Sequence, residues 1–219
     1  MELTLYGAII SPFVRKVRLF MLEKGFEYQF EQVLPRQVPE WYWKISPLGR
    51  IPGLKDGEQS FADSSVICHY LEDKYPSKSN LCGETPLERA RISWFEKYAD
   101  YEIAPLATFT VFFNRVLARP MGLEVNQAAI DSALNKLPKH WDYLEQQLVG
   151  KQYLVANRLT LADLALVTHW VNFAYGGEQL DAERWPNLVA HKERVLGRDS
   201  AKALLVEEAA FMRKMAASN

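Results

Sequence analysis

The sequence predicts two parts of different structural class, an α/β region of mixed strands and helices followed by an all-helical region. Short strand patterns alternate with helical patterns in residues 1–78, whereas from residue 87 onward the apolar residues recur only at helical spacing. The stretch between them is rich in Pro, Ser, Gly and Asn, which is typical of a linker. We therefore predict a first domain over 1–78, a linker over 79–86 and a helical domain over 87–219.

Composition and charge exclude several classes of protein. The chain has 219 residues, 48% of them hydrophobic, which is enough to bury the cores of two small domains. Its 26 basic and 27 acidic residues leave a net charge of −1, and nucleic-acid binding usually needs a basic excess to neutralise phosphates. The densest basic stretch, Arg15, Lys16 and Arg18, is interpreted as one solvated helix face. We expect no nucleic-acid partner.

The sequence also bounds the cellular location and the metal chemistry. The N-terminus lacks the pattern of a signal peptide, and no apolar stretch is long enough to span a bilayer. We expect a cytoplasmic protein without a membrane partner. Cys68 and Cys82 form neither a paired motif nor a metal cluster, so we predict two unpaired thiols and no metal site. The four histidines are predicted to be neither ligands nor bases: His69, His140, His169 and His191.

The first domain begins with clear local signals. Residues 3–6 have a strand pattern, and residues 12–24 have a helical one. Ser11 before a proline is typical of an N-cap followed by a first-turn proline, and Gly25 suits the helix end. Residues 26–30 alternate aromatic with polar side chains, which predicts a half-buried strand.

The rest of the first domain is predicted as a short helix, a hairpin and a longer helix. The short helix covers about 40–45, and the hairpin strands, 51–55 and 59–62, flank the turn signal Asp56-Gly57. The last helix covers 63–75. Its inner face is predicted to carry Val66, Ile67, Tyr70 and Leu71. The predicted order is β-α-β-α-β-β-α, which places a small mixed sheet between helices.

In the helical part, one motif concerns folding. Thr160 and Asp163, three residues apart before an apolar run, match the reciprocal capping pattern of a helix start. We assign them to capping rather than to catalysis. The apolar residues at helical spacing form two sets, the first with Trp94, Tyr98, Tyr101 and Leu106, the second with Ile130, Leu134, Leu137, Trp141, Leu144 and Leu148.

Four segments together carry a family resemblance. Residues 7–18 read Gly-Ala-Ile-Ile-Ser-Pro-Phe-Val-Arg-Lys-Val-Arg, and residues 46–54 read Ser-Pro-Leu-Gly-Arg-Ile-Pro-Gly-Leu. Residues 61–67 read Phe-Ala-Asp-Ser-Ser-Val-Ile, and 160–163 carry the capping motif. In this order the segments resemble the glutathione transferase superfamily, in particular its serine-type members. The resemblance implies a thioredoxin-like glutathione-binding domain, an all-helical second domain and a cytosolic homodimer active in detoxification. It implies glutathione as co-substrate and no other cofactor.

The resemblance assigns the catalytic role to Ser11. Its hydroxyl is expected to donate a hydrogen bond to the glutathione sulfur, while the positive end of the following helix favours the thiolate. The residues alone are also explained by Ser11 as an N-cap and nothing more. Tyr6 is the second candidate, because some classes of the family use a tyrosine at the end of the first strand. Its place within the strand alternation indicates a structural ring.

The remaining glutathione contacts are implied by the same segments. Asp63 and Ser64 are expected to hold the γ-glutamyl end, although a plain helix cap explains them equally well. The Ile51-Pro52 bond is expected to be cis, with the Ile51 backbone pairing with the cysteinyl unit. The other predicted contacts are Phe13, Arg50 and, more weakly, Gln37 and Lys44.

The second substrate is expected to be a small hydrophobic electrophile. Its predicted pocket is lined by Ala8, Ile9, Ile10, Phe109, Phe112 and Phe113, each of which is also explained as a core or dimer contact. Two alternatives stay open. One is a glutathione-dependent isomerase, dehalogenase or peroxidase, and the other is a non-catalytic binding protein of the same fold. A redox enzyme of the cysteine-type classes is disfavoured, because position 11 holds serine.

Overall fold

A computed structural model describes residues 2–35, 37–77 and 79–217 of the chain. They divide into two compact units, one that runs to Cys82 and also takes in the last helix, and one that covers Gly83–Arg198. The predicted division gave every residue from 87 onward to the helical domain, whereas the last helix packs within the first unit. Among the described residues, no helix is both long and apolar enough to cross a membrane.

The first unit is built on a four-stranded sheet with the strand order β2-β1-β3-β4. The strands pair in parallel between β1 and β2 and antiparallel elsewhere. This mixed sheet with its helices confirms the predicted thioredoxin-like class. The elements are β1 (Leu3–Gly7), α1 (Pro12–Glu23), β2 (Gln29–Gln32), a 3₁₀ helix (Glu40–Lys44), β3 (Gly53–Asp56), β4 (Gln59–Ala62), α2 (Ser64–Lys74) and α7 (Asp199–Ala217).

The strand register brings several loops to one end of the sheet. Tyr6 of β1 pairs with Gly53 of β3, which pairs in turn with Ala62 of β4. The end of β2 lies beside the end of β1, where Gly7 pairs with Gln32. The loops after β1, β2 and β4 and the loop before β3 therefore leave from the same end, which we call the loop end of the sheet.

The local signals for α1 and for the hairpin are confirmed. Ser11 caps α1, Gly25 follows its end with φ of 71°, and the hairpin turn has Gly57 at φ of 60°. Both glycines occupy the left-handed region that favours a residue without Cβ. Val14, Val17, Phe20 and Met21 of α1 are fully buried.

Three expectations about the first unit are wrong. Strand β2 begins only at Gln29, so the alternation over 26–28 lies outside the sheet. Val66 is 50% exposed, because α2 turns Ile67 and Leu71 into the core instead. The basic stretch of α1 is not a solvated face: Arg15, Lys16 and Arg18 are 1%, 0% and 7% exposed, since α7 covers this side of α1.

All regular secondary structure in the described residues of the second unit is helical. The second predicted apolar set is almost wholly buried, whereas Trp94 and Tyr101 of the first set are 57% and 66% exposed. Helix α3 continues directly into a wider π-helical segment, whose end is marked by the bond from Ala118 N to Phe113 O. The elements are α3 (Pro86–Tyr98), the π-helical segment (Ala99–Leu117), a 3₁₀ turn (Arg119–Met121), α4 (Gln127–Leu148), α5 (Leu161–Tyr175) and α6 (Pro186–Leu196).

Candidate active site

Three of the predicted site segments meet at the loop end of the sheet. The loop after β1 leads to Ser11 and α1, the loop before β3 contains Ile51 and Pro52, and the loop after β4 leads to Asp63 and α2. Ser11 lies 40 positions before Ile51, and Ile51 lies 12 positions before Asp63. The strand register places all three segments at one edge of the sheet. Two helix N-termini, those of α1 and α2, start from this edge and carry partial positive charge.

The hydroxyl of Ser11 uses only part of its hydrogen-bonding capacity in the described structure. The residue is the N-cap of α1, with extended φ of −72° and ψ of 126°, and its side chain is half-buried. Its Oγ accepts from the Val14 amide at 3.5 Å, which is at the long limit for a hydrogen bond. Pro12 presents no amide proton at the next position. The hydroxyl can therefore act as a weak cap and still donate its proton to a ligand.

Tyr6 lies in a different environment, within the aromatic packing of the first unit. It is 6% exposed, and its ring meets Trp41 and Tyr42 edge to face at centroid distances of 5.2 and 6.1 Å. Burial, helped by the nearby Glu31 carboxylate, raises the pKa of Tyr6 above its ordinary value. A buried phenol with a raised pKa keeps its proton and is held by its neighbours, as expected of a structural ring.

The segment before β3 presents backbone groups. The Ile51-Pro52 peptide bond is cis, as the resemblance implies. Ile51 is half-buried and lies two residues before Gly53, where the pairing of β3 with β1 and β4 begins. The loop is fixed on both sides of Arg50, because Tyr42 Oη donates to its carbonyl at 3.0 Å and its amide donates to Ser46 Oγ at 3.0 Å. The side chain of Arg50 is exposed.

Asp63 combines a helix cap with backbone strain. Its Oδ1 accepts from the amides of Ser65 and Val66 at 2.9 and 3.2 Å, and its φ is 82°. A left-handed conformation in a non-glycine residue costs about 1–3 kcal/mol and is concentrated at functional sites. Ser64 is the first residue of α2 and is buried, so its amide is among those that an α-helix leaves without an internal partner.

The weaker candidates lie on the surface of the first unit. Gln37 and Lys44 are exposed, one in the loop after β2 and the other at the end of the 3₁₀ helix. Phe13 is half-buried in the first turn of α1, with the Lys16 ammonium 5.8 Å from its ring centroid. These three assignments stay predictions.

The six residues of the predicted electrophile pocket are divided between the two units. In the first unit, Ile9 is half-buried two residues before Ser11, while Ala8 and Ile10 are 7% and 9% exposed. In the second unit the three aromatic residues differ: Phe109 is 56% exposed, Phe112 is buried with its ring 6.5 Å from that of Tyr175, and Phe113 is half-buried. The pocket stays a prediction.

Two positioning features of the first unit escaped the sequence analysis. Trp41 packs on Tyr6, and the Tyr42 hydroxyl holds the Arg50 carbonyl. The only sequence signal was the aromatic run at 41–43, which gives no register relative to the sheet.

Two histidines of the second unit are hydrogen-bonded to side chains of the same unit. His191 Nε2 lies 2.7 Å from Asp163 Oδ1, and His169 lies between Thr108 Oγ1 at 3.0 Å and Asp100 Oδ1 at 3.4 Å. His191 and His169 are fully buried. Asp163 is thus more than the simple cap that its spacing predicted.

The fold and this end of the sheet define a class, that of thioredoxin-like proteins with a helical second unit. Comparison with known proteins agrees. Residues 5–79 match the model of the glutathione S-transferase N-terminal domain, and residues 99–199 match that of the C-terminal domain. The chain is 33% identical to glutathione S-transferase F10 of Arabidopsis thaliana over 171 residues, covering 75% of this chain and 78% of the relative. It is 32% identical to a Triticum aestivum glutathione S-transferase over 194 residues, 84% of each chain.

Solved structures give the same answer for the fold. Glutathione transferase F2 of Populus trichocarpa superposes with a TM-score of 0.80 at 26% identity, over 95% of this chain and 99% of that one. A glutathione S-transferase of Rhodospirillum rubrum F11 gives 0.84 at 24% identity, over 93% and 91%. The chain belongs to the glutathione S-transferase family, and it is a transferase that uses glutathione.

Proposed function

We propose that the chain activates the thiol of glutathione through Ser11 for attack on an electrophilic, mostly apolar substrate. The observation that supports this most is the Ser11 hydroxyl, which accepts a single long hydrogen bond from the described part of the chain, at the start of α1. Its proton is not used in a hydrogen bond among the described residues. A donor held at a helix N-terminus is suited to an anion.

The chemical task is to raise the thiolate fraction of glutathione. A free cysteine thiol has a pKa of about 8.5, so only a small part of it is ionised at pH 7. A hydrogen bond from Ser11 Oγ to the sulfur stabilises the anion rather than the thiol and lowers that pKa. The partial positive charge at the N-terminus of α1 acts in the same direction.

The tripeptide has complementary groups along the loop end of the sheet. We assign its γ-glutamyl carboxylate to the Ser64 hydroxyl and amide at the start of α2, and its α-ammonium to the carboxylate of Asp63. The cysteinyl backbone pairs with Ile51, as a peptide adds to a strand edge. The glycyl carboxylate meets the exposed guanidinium of Arg50, with Lys44 and Gln37 as weaker contacts.

The proposed reaction transfers the glutathione thiolate to carbon. The thiol proton passes to solvent, the sulfur lone pair forms a C–S bond, and the leaving group, for example chloride, departs with the bonding electrons. The apolar, half-buried side chain of Ile9, two residues before Ser11, supports an apolar electrophile. Glutathione is the co-substrate and we assign no other cofactor. The role in detoxification and the cytoplasmic location are part of the same proposal.

The test is conjugation of glutathione to a chlorinated nitroaromatic, followed by the absorbance of the released conjugate. We expect Ser11→Ala to lower kcat/KM at pH 6.5 by about 100-fold, because removing one anion-stabilising donor costs about 10²–10³. Tyr6→Phe is the matched control and should stay within about threefold. If Tyr6→Phe lost activity and Ser11→Ala kept it, the assignment would be wrong.

Other electrophile classes separate the alternatives. Turnover of hydroperoxides, haloalkanes or isomerisable substrates, with no conjugation of the nitroaromatic, would favour the peroxidase, dehalogenase or isomerase. Failure to bind immobilised glutathione would favour a non-catalytic binding protein.

We also propose that the chain forms a homodimer. Apolar side chains on α3 and the π-helical segment are exposed, with Leu87 at 61%, Trp94 at 57% and Tyr101 at 66%. Their spacing of seven residues places them along one helix face, and such a row is typical of an interaction surface. Light scattering of the purified protein should give twice the chain mass, and Trp94→Glu should shift it toward the monomer.

A further inference from the structure

Three basic residues of α1 are buried where the sequence predicted a solvated face. Arg15, Lys16 and Arg18 are 1%, 0% and 7% exposed. Removing a charge from water is costly unless it is paired. The partners of the two arginines therefore indicate what this side of α1 is held against.

Both arginines are paired with consecutive glutamates of α7. Arg15 Nε and Nη2 donate to Glu208 Oε1 and Oε2 at 2.6 Å each, a two-point contact in which both side chains are 1% exposed. Arg18 Nη2 donates to Glu207 Oε2 at 2.5 Å, but the Glu207 side chain is 41% exposed. The Arg15–Glu208 pair is thus the interior one.

The contacts between the two helices run in opposite chain directions. Ser200 Oγ donates to Glu23 at the end of α1, while Glu208 meets Arg15 near its start. Eight residues separate the contacts on each helix, about 12 Å at 1.5 Å per residue. Helix α7 therefore lies antiparallel along α1 and contacts it at both ends.

Arg15 lies one turn from the proposed thiol activator. Its amide donates to the Ser11 carbonyl at 2.9 Å, which is the first hydrogen bond of α1. A planar guanidinium held at two points by a carboxylate fixes direction as well as distance, which a single contact does not. The pair therefore limits rotation and sliding of the first turn of α1, to which Ser11 is bonded through its carbonyl.

We propose that Arg15 and Glu208 are positioning residues, which hold the first turn of α1 so that the Ser11 hydroxyl is directed at the glutathione sulfur. This rests on the proposed function of Ser11. A buried ion pair adds little net stability compared with apolar residues of similar size, so fold stability alone is a weak reason for it. The benefit that we assign to the ion pair is the fixed orientation of the first turn of α1.

The test replaces the pair by apolar residues without changing net charge. In Arg15→Met/Glu208→Leu the fold is expected to remain, with a melting temperature within a few degrees of the parent protein. The pKa of bound glutathione, measured by the ultraviolet absorbance of its thiolate, should rise. At pH 6.5 kcat should fall about tenfold, since small misplacement of a reacting group is costly. KM for glutathione should change less than about twofold.

The matched control is the neighbouring pair. Arg18→Met/Glu207→Leu removes the same two charges between the same helices, one turn further along, and should leave the thiol pKa and kcat within about twofold. Arg15→Lys keeps the charge but loses the two-point geometry, and it should raise the thiol pKa as the interior double variant does. Arg15→Lys also tests the positioning role if the interior double variant does not fold.

The outcomes separate the two proposals. An unchanged thiol pKa and pH-rate profile in both Arg15 variants would overturn the positioning role, even where stability falls. Equal losses in the interior and control pairs would do the same. If Ser11→Ala already left the thiol pKa of bound glutathione unchanged, the proposed role of Ser11 would fail first.

Discussion

Two helix starts in this molecule are built from similar residues and are used differently. At the start of α5, Thr160 and Asp163 are fully buried, and the carboxylate accepts four hydrogen bonds. At the start of α1, Ser11 is half-buried and its hydroxyl accepts one bond at 3.5 Å. A fully used cap stabilises the fold. A cap with an unused proton leaves a donor for a ligand.

The start of α2 lies between these two cases. Asp63 uses one carboxylate oxygen for two amides, yet it is exposed and has a left-handed φ of 82°. Its cap is satisfied, but its backbone is strained and the residue is exposed. The capping side chain assigned to folding is buried and fully hydrogen-bonded. The capping side chains assigned to glutathione binding are more exposed and keep part of their hydrogen-bonding capacity.

The largest expected effect on the free energy of unfolding is at Asp163, in the fully hydrogen-bonded cap of α5. Asp163→Asn should lower the free energy of unfolding by about 3 kcal/mol, because an amide group presents a donor where the carboxylate accepts buried ones. Urea unfolding followed by tryptophan fluorescence measures it. Asp131→Asn is the control, since Asp131 is exposed on α4 and accepts a hydrogen bond from the exposed side chain of Gln127. Equal losses in both variants would contradict the distinction.

The next largest effect on stability is expected at Asp56, the buried carboxylate that ends strand β3. Burial alone would raise its pKa, but hydrogen bonds from Lys74, Tyr75 and Tyr70 outweigh burial and hold that pKa below its ordinary value. Because the folded pKa is depressed, its contribution to stability is complete above about pH 4 and is lost as the pH falls through the folded pKa. Asp56→Asn should cost about 1–2 kcal/mol at pH 7.

Acid titration of stability checks this sign. As the pH falls from about 4 to about 2, the Asp56→Asn protein should lose less stability than the parent, since it has no carboxyl to protonate there. Asp73→Asn, an exposed position on α2, should keep the parent's slope. A parallel slope in the parent and in Asp56→Asn would show that the three donors do not act on this carboxyl.

The smallest stability effect is expected at the least used cap. Ser11→Ala should lower the free energy of unfolding by about 0.5 kcal/mol, because the bond it removes is long. Thr160→Ala is the matched variant and should cost about 1–2 kcal/mol, since its hydroxyl bonds Asp163 at 2.9 Å in the interior. Differential scanning calorimetry of the two variants compares them. A larger loss in Ser11→Ala would mean that Ser11 is chiefly a cap.

Local rules predicted much of the first unit. The cap and proline at the start of α1, the Asp56-Gly57 turn and the cap at Asp63 are set by residues within a few positions of one another, and each lies where the sequence predicts it. The order of elements followed from these signals. The meeting of three loops at one sheet end depended on strand register, which the resemblance implied and local patterns did not.

Long-range contacts were the part that the sequence could not supply. The basic residues of α1 have the local pattern of a solvated face, and only a helix far along the chain buries them. Arg15 and Glu208 are 193 positions apart. Likewise, Asp163 has the spacing of a cap, but its bond to His191 reaches 28 positions further. A pattern within one helix does not say which neighbour will cover it.

The first unit is made of two segments that are distant in the chain, and this has a consequence for the order of folding. Residues up to Cys82 and the helix α7 belong to one compact unit, although Gly83–Arg198 stand between them in the chain. During synthesis from the N-terminus, the second unit is complete before α7 has been made. Until Glu208 emerges, Arg15 lacks its carboxylate partner, and the packing around α1 is unfinished. A ribosome stalled before α7 should therefore display a folded helical unit beside an incompletely closed first unit.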